Sequence, residues 1–525
     1  MNRLAVSFVL LVCGCGNGSA APDAGVDASR DSAPDVLFTM EAGISACAVA
    51  AQSASYVGCD YEAVPLANVV WSVFDFAVVV ANGGTETADV TVSNAGTTVQ
   101  MVSVAPNAIA KIYLPWIPAL KGTDSDMCGT VINPDPQSTH VQNGAYHVSS
   151  TQPVSVYQFN AIEYQGIGGP PGKDWSNCPG YGPCLGGSAC YSFSNDASVL
   201  YPTTAWTNNV RVAGAASTNA GGTYFAVTAA TDNTHVTVKL SSLGEVLAGG
   251  DVAATAPSGT LTFTMMAEDV VEVVGPEGAT DFSGSLVQAD QPIQVHSGHP
   301  CRDVPDSSTA ACDHLETNNP PAETLGKHYF VEQPTGPYGG LPGAVVRLYG
   351  NVDGTTLTYP QGTPPGAPAT LNAGDVADLG VVTQDFEVMG SNEFAVASLM
   401  LGGTAVDPST GEGDPSLSMM VPVEQYRFSY VFLAPDDYDI SYADVVQPMG
   451  VELTLDNTVV FTQPTAIGSS GFGVTRIPLS RNANAGAHTL TAGSAFGLQV
   501  LGYGKYTSYQ YPGGADLKPI APPPK

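Results

Sequence analysis

Four stretches of this chain follow one pattern, and that repetition constrains the fold more than any other feature. They read YHVSSTQPVSVYQFN (146–160), SGSLVQADQPIQVHSGH (283–299), DFEVMGSNEFAVASLMLG (385–402) and HTLTAGSAFGLQVLGYG (488–504). Each has a short strand-like run, a small polar turn, then an alternating apolar run. Val154, Ile293, Phe394 and Phe496 hold matching positions, spaced 139, 101 and 102 residues apart. Alternation such as Val154-x-Val156 and Phe394-x-Val396 is the period-2 signature of a half-buried strand. A second motif follows the first three copies, in residues 195–212, 312–331 and 413–432. It places Asp196, Asp313 or Asp414 first, then Pro202, Pro321 or Pro422, and four residues later Trp206, Leu325 or Tyr426. A strand then begins, so the motif reads as a connector into the next unit. An acidic residue kept in three different contexts is expected to hold a turn through side-chain-to-backbone bonds.

Repetition at this period implies an array of similar units. Turn signals recur inside them, as in ANGGTETADVTV, TDNTHVTV, NVDGTTLTY and TLDNTVVF, with Thr/Val strands on either side. Such steps favour hairpins, and no long stretch has a helical period. The expected class is all-β, built of tandem antiparallel β-sandwich-like repeats, with a large β-propeller-like array as the alternative. The expected units are residues 45–196, 197–312, 313–413 and 414–514, followed by a tail over 515–525.

The N-terminus is a separate signal. MNRLAVSFVLLVCGC carries Arg3 and an apolar run from Leu4 to Val12, too short to span a bilayer and read as a signal peptide. Its end, Val12-Cys13-Gly14-Cys15, resembles a bacterial lipobox, so residues 1–15 are expected to be a lipoprotein signal peptide with Cys15 as the lipidated residue. Residues 16–44 are expected to form an Asp/Ala/Pro-rich tether. The implied location is the bacterial cell envelope, at the outer membrane or cell surface, with membrane contact only through the lipid.

Ten cysteines occur; Cys13 leaves with the signal and Cys15 carries lipid, which leaves eight. An even count in an exported chain points to disulfides. Cys47–Cys59 and Cys301–Cys312 are reasonable local pairs. Cys178, Cys184 and Cys190 share one loop that needs an outside partner, and Cys128 is the candidate.

The composition also excludes a partner class. Asp and Glu number 48 against 16 Lys and Arg, a net charge of -32. No basic patch is available to neutralise phosphates, so nucleic acid is not an expected ligand.

Several motifs together resemble a known family: GCDYEAV (58–64), PVSVYQFN (153–160), SNDASVLYPT (194–203), the SGHPC, ACDHLE and PPAETLGKHYFV blocks within 297–331, and HTLTAGSAFGLQVLGYGKYTSYQYPGG (488–514). They are similar to the N-terminal domain of IgG Fc-binding proteins, over about residues 45–514. The resemblance implies a binding role and supplies no catalytic residues.

Three stretches were candidate sites. His296, His299, Cys301, Cys312 and His314 offer zinc-type ligands, but their spacing is not a standard finger arrangement, and a disulfide with structural histidines is the preferred reading. Asp436, Asp437, Asp439 and Asp444 lie in an acidic run that suits a solvated loop or, alternatively, calcium. Tyr503, Tyr506, Tyr509 and Tyr511 stand beside Lys505; Tyr506, Tyr509 and Tyr511 are candidate contact residues, against ordinary strand packing. No H-E-x-x-H, G-x-S-x-G or phosphate loop is present. The expected function is a cell-surface binding and adhesion module without catalysis or cofactor. Its expected partner is a surface glycoprotein or polysaccharide. The alternatives are a secreted glycan- or peptide-hydrolase and a purely structural envelope protein.

Overall fold

The four repeats are four copies of one strand plan. The computed structural model describes residues 45–122, 124, 137–178, 190–218, 221–309, 312–479 and 486–524, and these belong to a single unit. Each copy is organised on a strand that we call its spine. In the first copy the spine is Tyr146–Asn160. Its first half pairs antiparallel with Gly58–Ala63 and Ala88–Asn94, and its second half with Phe76–Asn82 and Ala197–Val199. In the second copy Leu286–Arg302 pairs with Thr207–Arg211 and Thr234–Lys239, then with Tyr224–Ala229 and Asp313–Asn318. In the fourth, Gly486–Gly504 pairs with Arg427–Ala434 and Leu453–Leu455, then with Ile440–Pro448 and Thr507–Pro512. The class is all-β and antiparallel.

The polar turn expected inside each repeat is a break in only one of the four copies. In the third copy Phe386–Gly390 and Phe394–Met400 are separate strands. Elsewhere the same position is a register shift within one continuous strand: pairing jumps from Ser149 to Val154, from Gln288 to Ile293 and from Thr491 to Phe496. Extra residues at a bulge bend a strand and increase its twist, so one spine serves two sheets. A tyrosine pins the bend in three copies. The hydroxyls of Tyr61, Tyr329 and Tyr430 donate to the carbonyls of Val154, Phe394 and Phe496, each at 2.6 Å. In the second copy Val210 stands at the corresponding place, four residues after Trp206.

The copies are not separate beads. One apolar core combines Tyr157 of the first copy and Trp206 of the connector that follows it with Tyr430 and Tyr511 of the last copy. Another combines Ala213 and Leu315 with Tyr349 and Leu399, from the second and third. After each spine the chain makes a short rung: Ala197–Val199, Asp313–Asn318, Leu417–Met419 or Thr507–Pro512. Each rung lies against the next, and the last lies against the first, so the four copies close around a common axis. Closure is completed where the N-terminal and C-terminal segments meet: Tyr56 N–H donates to Ala515 O at 3.1 Å and Leu517 N–H to Ala54 O at 2.7 Å.

The connectors leave the axis through a shared turn. Pro202, Pro321 and Pro422 precede single 3-10 turns at Thr203–Ala205, Ala322–Thr324 and Val423–Gln425, which end at Trp206, Leu325 and Tyr426. Proline fixes φ near the value such a turn start needs. One glycine has a purely spatial role at the axis: a Cβ on Gly298 would lie 1.8 Å from Leu315 O, so the second spine approaches its rung only where no side chain intervenes.

Candidate functional site

The three connector aspartates meet at the axis, and all are fully buried. Asp196 does most. Its Oδ2 accepts the amide of Glu316 at 3.0 Å, from the second connector, and that of Leu417 at 3.1 Å, from the third. Its Oδ1 accepts Ser416 Oγ at 2.6 Å and its neighbour Ala197 N at 2.9 Å. Asp313 Oδ1 accepts the amides of Asn195 at 2.5 Å and His314 at 2.8 Å. Asp414 Oδ1 accepts Gly403 N at 3.1 Å, while Asp414 N donates to Ser508 Oγ at 2.8 Å. These carboxyls were expected to hold their own turns. They do bond to backbone, but two of them reach across to other connectors.

A fourth carboxyl, Glu316, completes the cluster. It receives Asn160 Nδ2, Ser198 Oγ and Gln158 Nε2 from the first copy, and His314 Nε2 lies 3.3 Å from Oε2. Among the described residues no lysine or arginine forms an ion pair with any of these four groups. Burial therefore raises them: Asp196, Asp313 and Asp414 lie well above the usual carboxylate range, and Glu316 is pushed up to about 8 despite its hydrogen bonds. For Asp313 the charges of Asp414 and Asp196 add to the effect of burial.

The histidines beside this cluster are buried in protein. Among the described residues no three His, Cys, Asp or Glu side chains are arranged to hold an ion. His299 uses both ring nitrogens on backbone, Nε2 donating to Gly221 O and Nδ1 accepting from Cys301 N, each at 3.0 Å. His314 meets Glu316, and His296 is buried with no hydrogen bond to either ring nitrogen. Burial pushes all three down to about 3, so they are neutral.

The structure joins Cys301 to Cys312, Cys47 to Cys59 and Cys178 to Cys190. The last bond pairs two of the three loop cysteines with each other, which leaves one of the three for a partner outside the loop. Cys128 and Cys184 lie outside the described residues, as do Cys15 and the tether.

Two further expectations are refined. The acidic run is solvated only in part: the Asp436 side chain is 63% exposed and that of Asp437 10%. The ammonium of Lys111 sits between Asp436 Oδ1 and Asp437 Oδ2, Asp439 accepts Tyr164 OH at 2.7 Å, and Asp444 is buried on Thr335. Tyr509 and Tyr511 cannot present themselves to a partner, because both are at most 1% exposed. Their hydroxyls donate inward, to Ser441 Oγ at 2.8 Å and Leu433 O at 2.5 Å. Tyr506 is half-buried. The most exposed aromatic among the described residues is Phe461, at 84%.

A family model described as IgGFc binding protein matches residues 196–502, more than half of the chain. The chain belongs to the IgGFc-binding family. The match begins at Asp196, the aspartate that ties three connectors together, and ends within the last spine. The human IgGFc-binding protein is 26% identical over 308 residues, which is 57% of this chain and 5% of that protein; the chain thus spans a small part of its relative. Among solved structures, an anti-sigma factor domain-containing protein is 9% identical over 54% of this chain and 79% of its own, with a TM-score of 0.10. A second such protein, from Clostridium clariflavum, is 10% identical over 56% of this chain and 78% of its own, also with a TM-score of 0.10. Neither bears on the fold or the role of this family member.

Proposed function

We propose that this chain is a recognition module displayed at a bacterial cell surface, held there by lipid on Cys15, and that it binds a protein or glycan partner without catalysis. The observation that carries the reading is the family match over residues 196–502. The human relative is named for binding the Fc part of IgG, so a protein ligand, Fc included, is the first partner class to test. The net charge of -32 further favours a neutral or basic partner surface over an acidic one.

Residues 37–525, applied to an array of IgG Fc, other glycoproteins and polysaccharides, are expected to retain at least one class. Turnover of an arrayed substrate would replace this reading with the hydrolase alternative, and retention of none would leave the structural-envelope alternative. Anchoring has its own test. Metabolic labelling with a fatty-acid probe is expected to mark the wild-type chain, and incorporation surviving Cys15→Ala would overturn the lipid assignment.

A further inference from the structure

The axis is a poor place for charge. Asp196, Asp313, Asp414 and Glu316 are each 0% exposed, and among the described residues Oδ2 of Asp313 and of Asp414 has no hydrogen-bond partner. Among the described residues, the other titratable groups around them add no positive charge. His314 shares a strand with Glu316, while His296 and His299 come from the second spine, and all three are neutral. Tyr224 donates to Leu315 O at 3.1 Å, Tyr438 faces Asp313 and Asp196, and Asp303 faces Asp414. Glu272 faces Tyr224 and accepts Ala67 N. The nearby guanidiniums are engaged elsewhere, Arg302 on the carbonyls of Ala216 and Ser217, and Arg347 on Asp281. The same carboxyls carry the bonds between connectors, notably Asp196 to Glu316 and Leu417 and Asp313 to Asn195.

We propose that the axis is a pH-operated latch: carboxyls packed together without a cation hold the connectors in place, and the charge gathered on them in alkaline solution drives the connectors apart. Like charges close together in a dry interior repel strongly, and each buried carboxylate also lacks the water it needs. Opening the axis to solvent relieves both. A carboxyl whose value is raised by folding stabilises most below its unfolded value, near 4, and that stability is lost as pH rises through the folded value. For Glu316 the interval ends at about 8. The buried histidines act in the opposite sense and only below their ordinary value of about 6.5, so the range above it isolates the carboxyls.

The test is native-state cleavage of the full chain by thermolysin between pH 6.5 and 9, normalised to an unstructured peptide substrate at each pH. In the wild type, normalised cleavage within residues 195–212, 312–331 and 413–432 is expected to rise at least tenfold. Glu316→Gln, and Asp313→Asn if it folds, are expected to reduce that rise severalfold. Glu332→Gln is the control. Glu332 is also buried and raised to about 8, but faces Asp444, Asp385 and Arg476 away from the axis, and its removal is expected to leave connector cleavage unchanged. An equal rise in wild type and Glu316→Gln, or no rise in the wild type, overturns the latch.

Discussion

The second and third connectors have the same backbone plan and different chemistry. Both run from a buried aspartate through a rung to a proline, a 3-10 turn and a new strand. The second carries His314 and Glu316 and is entered through a loop closed by Cys301–Cys312. The third carries Ser416 and Ser418, and its entry is closed by the short helix Gly403–Val406, whose first amide bonds to Asp414. Aspartate and proline therefore define the plan. How the entry loop is closed, covalently or by hydrogen bonds, is free to vary.

The largest effect that tests this comparison is loss of the aspartate on which both connectors converge. Asp196→Ala leaves the buried amides of Ala197, Glu316 and Leu417 without their acceptor. At about 1–3 kcal/mol for each unmet group, the loss is expected to exceed about 4 kcal/mol and to abolish folding or nearly so. Asp414→Ala strands one amide, that of Gly403, and is expected to cost about 1–3 kcal/mol. Urea denaturation ranks the two, and equal losses would show that the aspartates do not differ as their bonding does.

The covalent closure comes next. Cys301 and Cys312 are 11 residues apart, and closing a loop of that size is worth about 3 kcal/mol in the chain-entropy model. Cys301→Ser with Cys312→Ser is expected to lose about that much. In the double variant the first protease-sensitive segment should be the second connector, while the third, closed without cysteine, keeps its protection. Loss of protection in both together would mean that the axis responds as one piece and that the two closures are interchangeable.

Much of this plan was legible in the sequence, for physical reasons. Alternation at Val154 and Phe394 reports strands because side chains alternate across a sheet, and the Asp and Pro of the connectors stand at fixed local offsets. The convergence of the carboxyls was not legible. Glu316 takes its partners Asn160 and Gln158 from 156 and 158 residues away, and Lys111 reaches Asp436 over 325. Local composition therefore misled where a distant residue decides. An acidic run gave no sign of the lysine that pairs with Asp436 and Asp437, and a row of tyrosines offered contact candidates until both faces of its strand were covered. The role of His299 stayed open because its acceptor, Gly221 O, lies 78 residues upstream.

The smallest effect concerns the bends in the spines. Tyr430→Phe keeps the ring packed against Phe496, 4.9 Å between centroids, and removes the hydroxyl's bond to Phe496 O together with its acceptance of the Arg427 amide at 3.0 Å. That carbonyl is then buried without this donor, so the cost is about 1–2 kcal/mol by urea denaturation. The second copy already lacks such a hydroxyl, with Val210 in the place of the tyrosine, and its spine is continuous across the same register shift. The bend itself is therefore expected to survive in Tyr430→Phe. Protection of the Phe496 and Gly497 amides from hydrogen exchange should drop only as far as global stability does. A larger, local drop there would mean that the tyrosine makes the bend in the fourth copy, and that the second copy bends for a different reason.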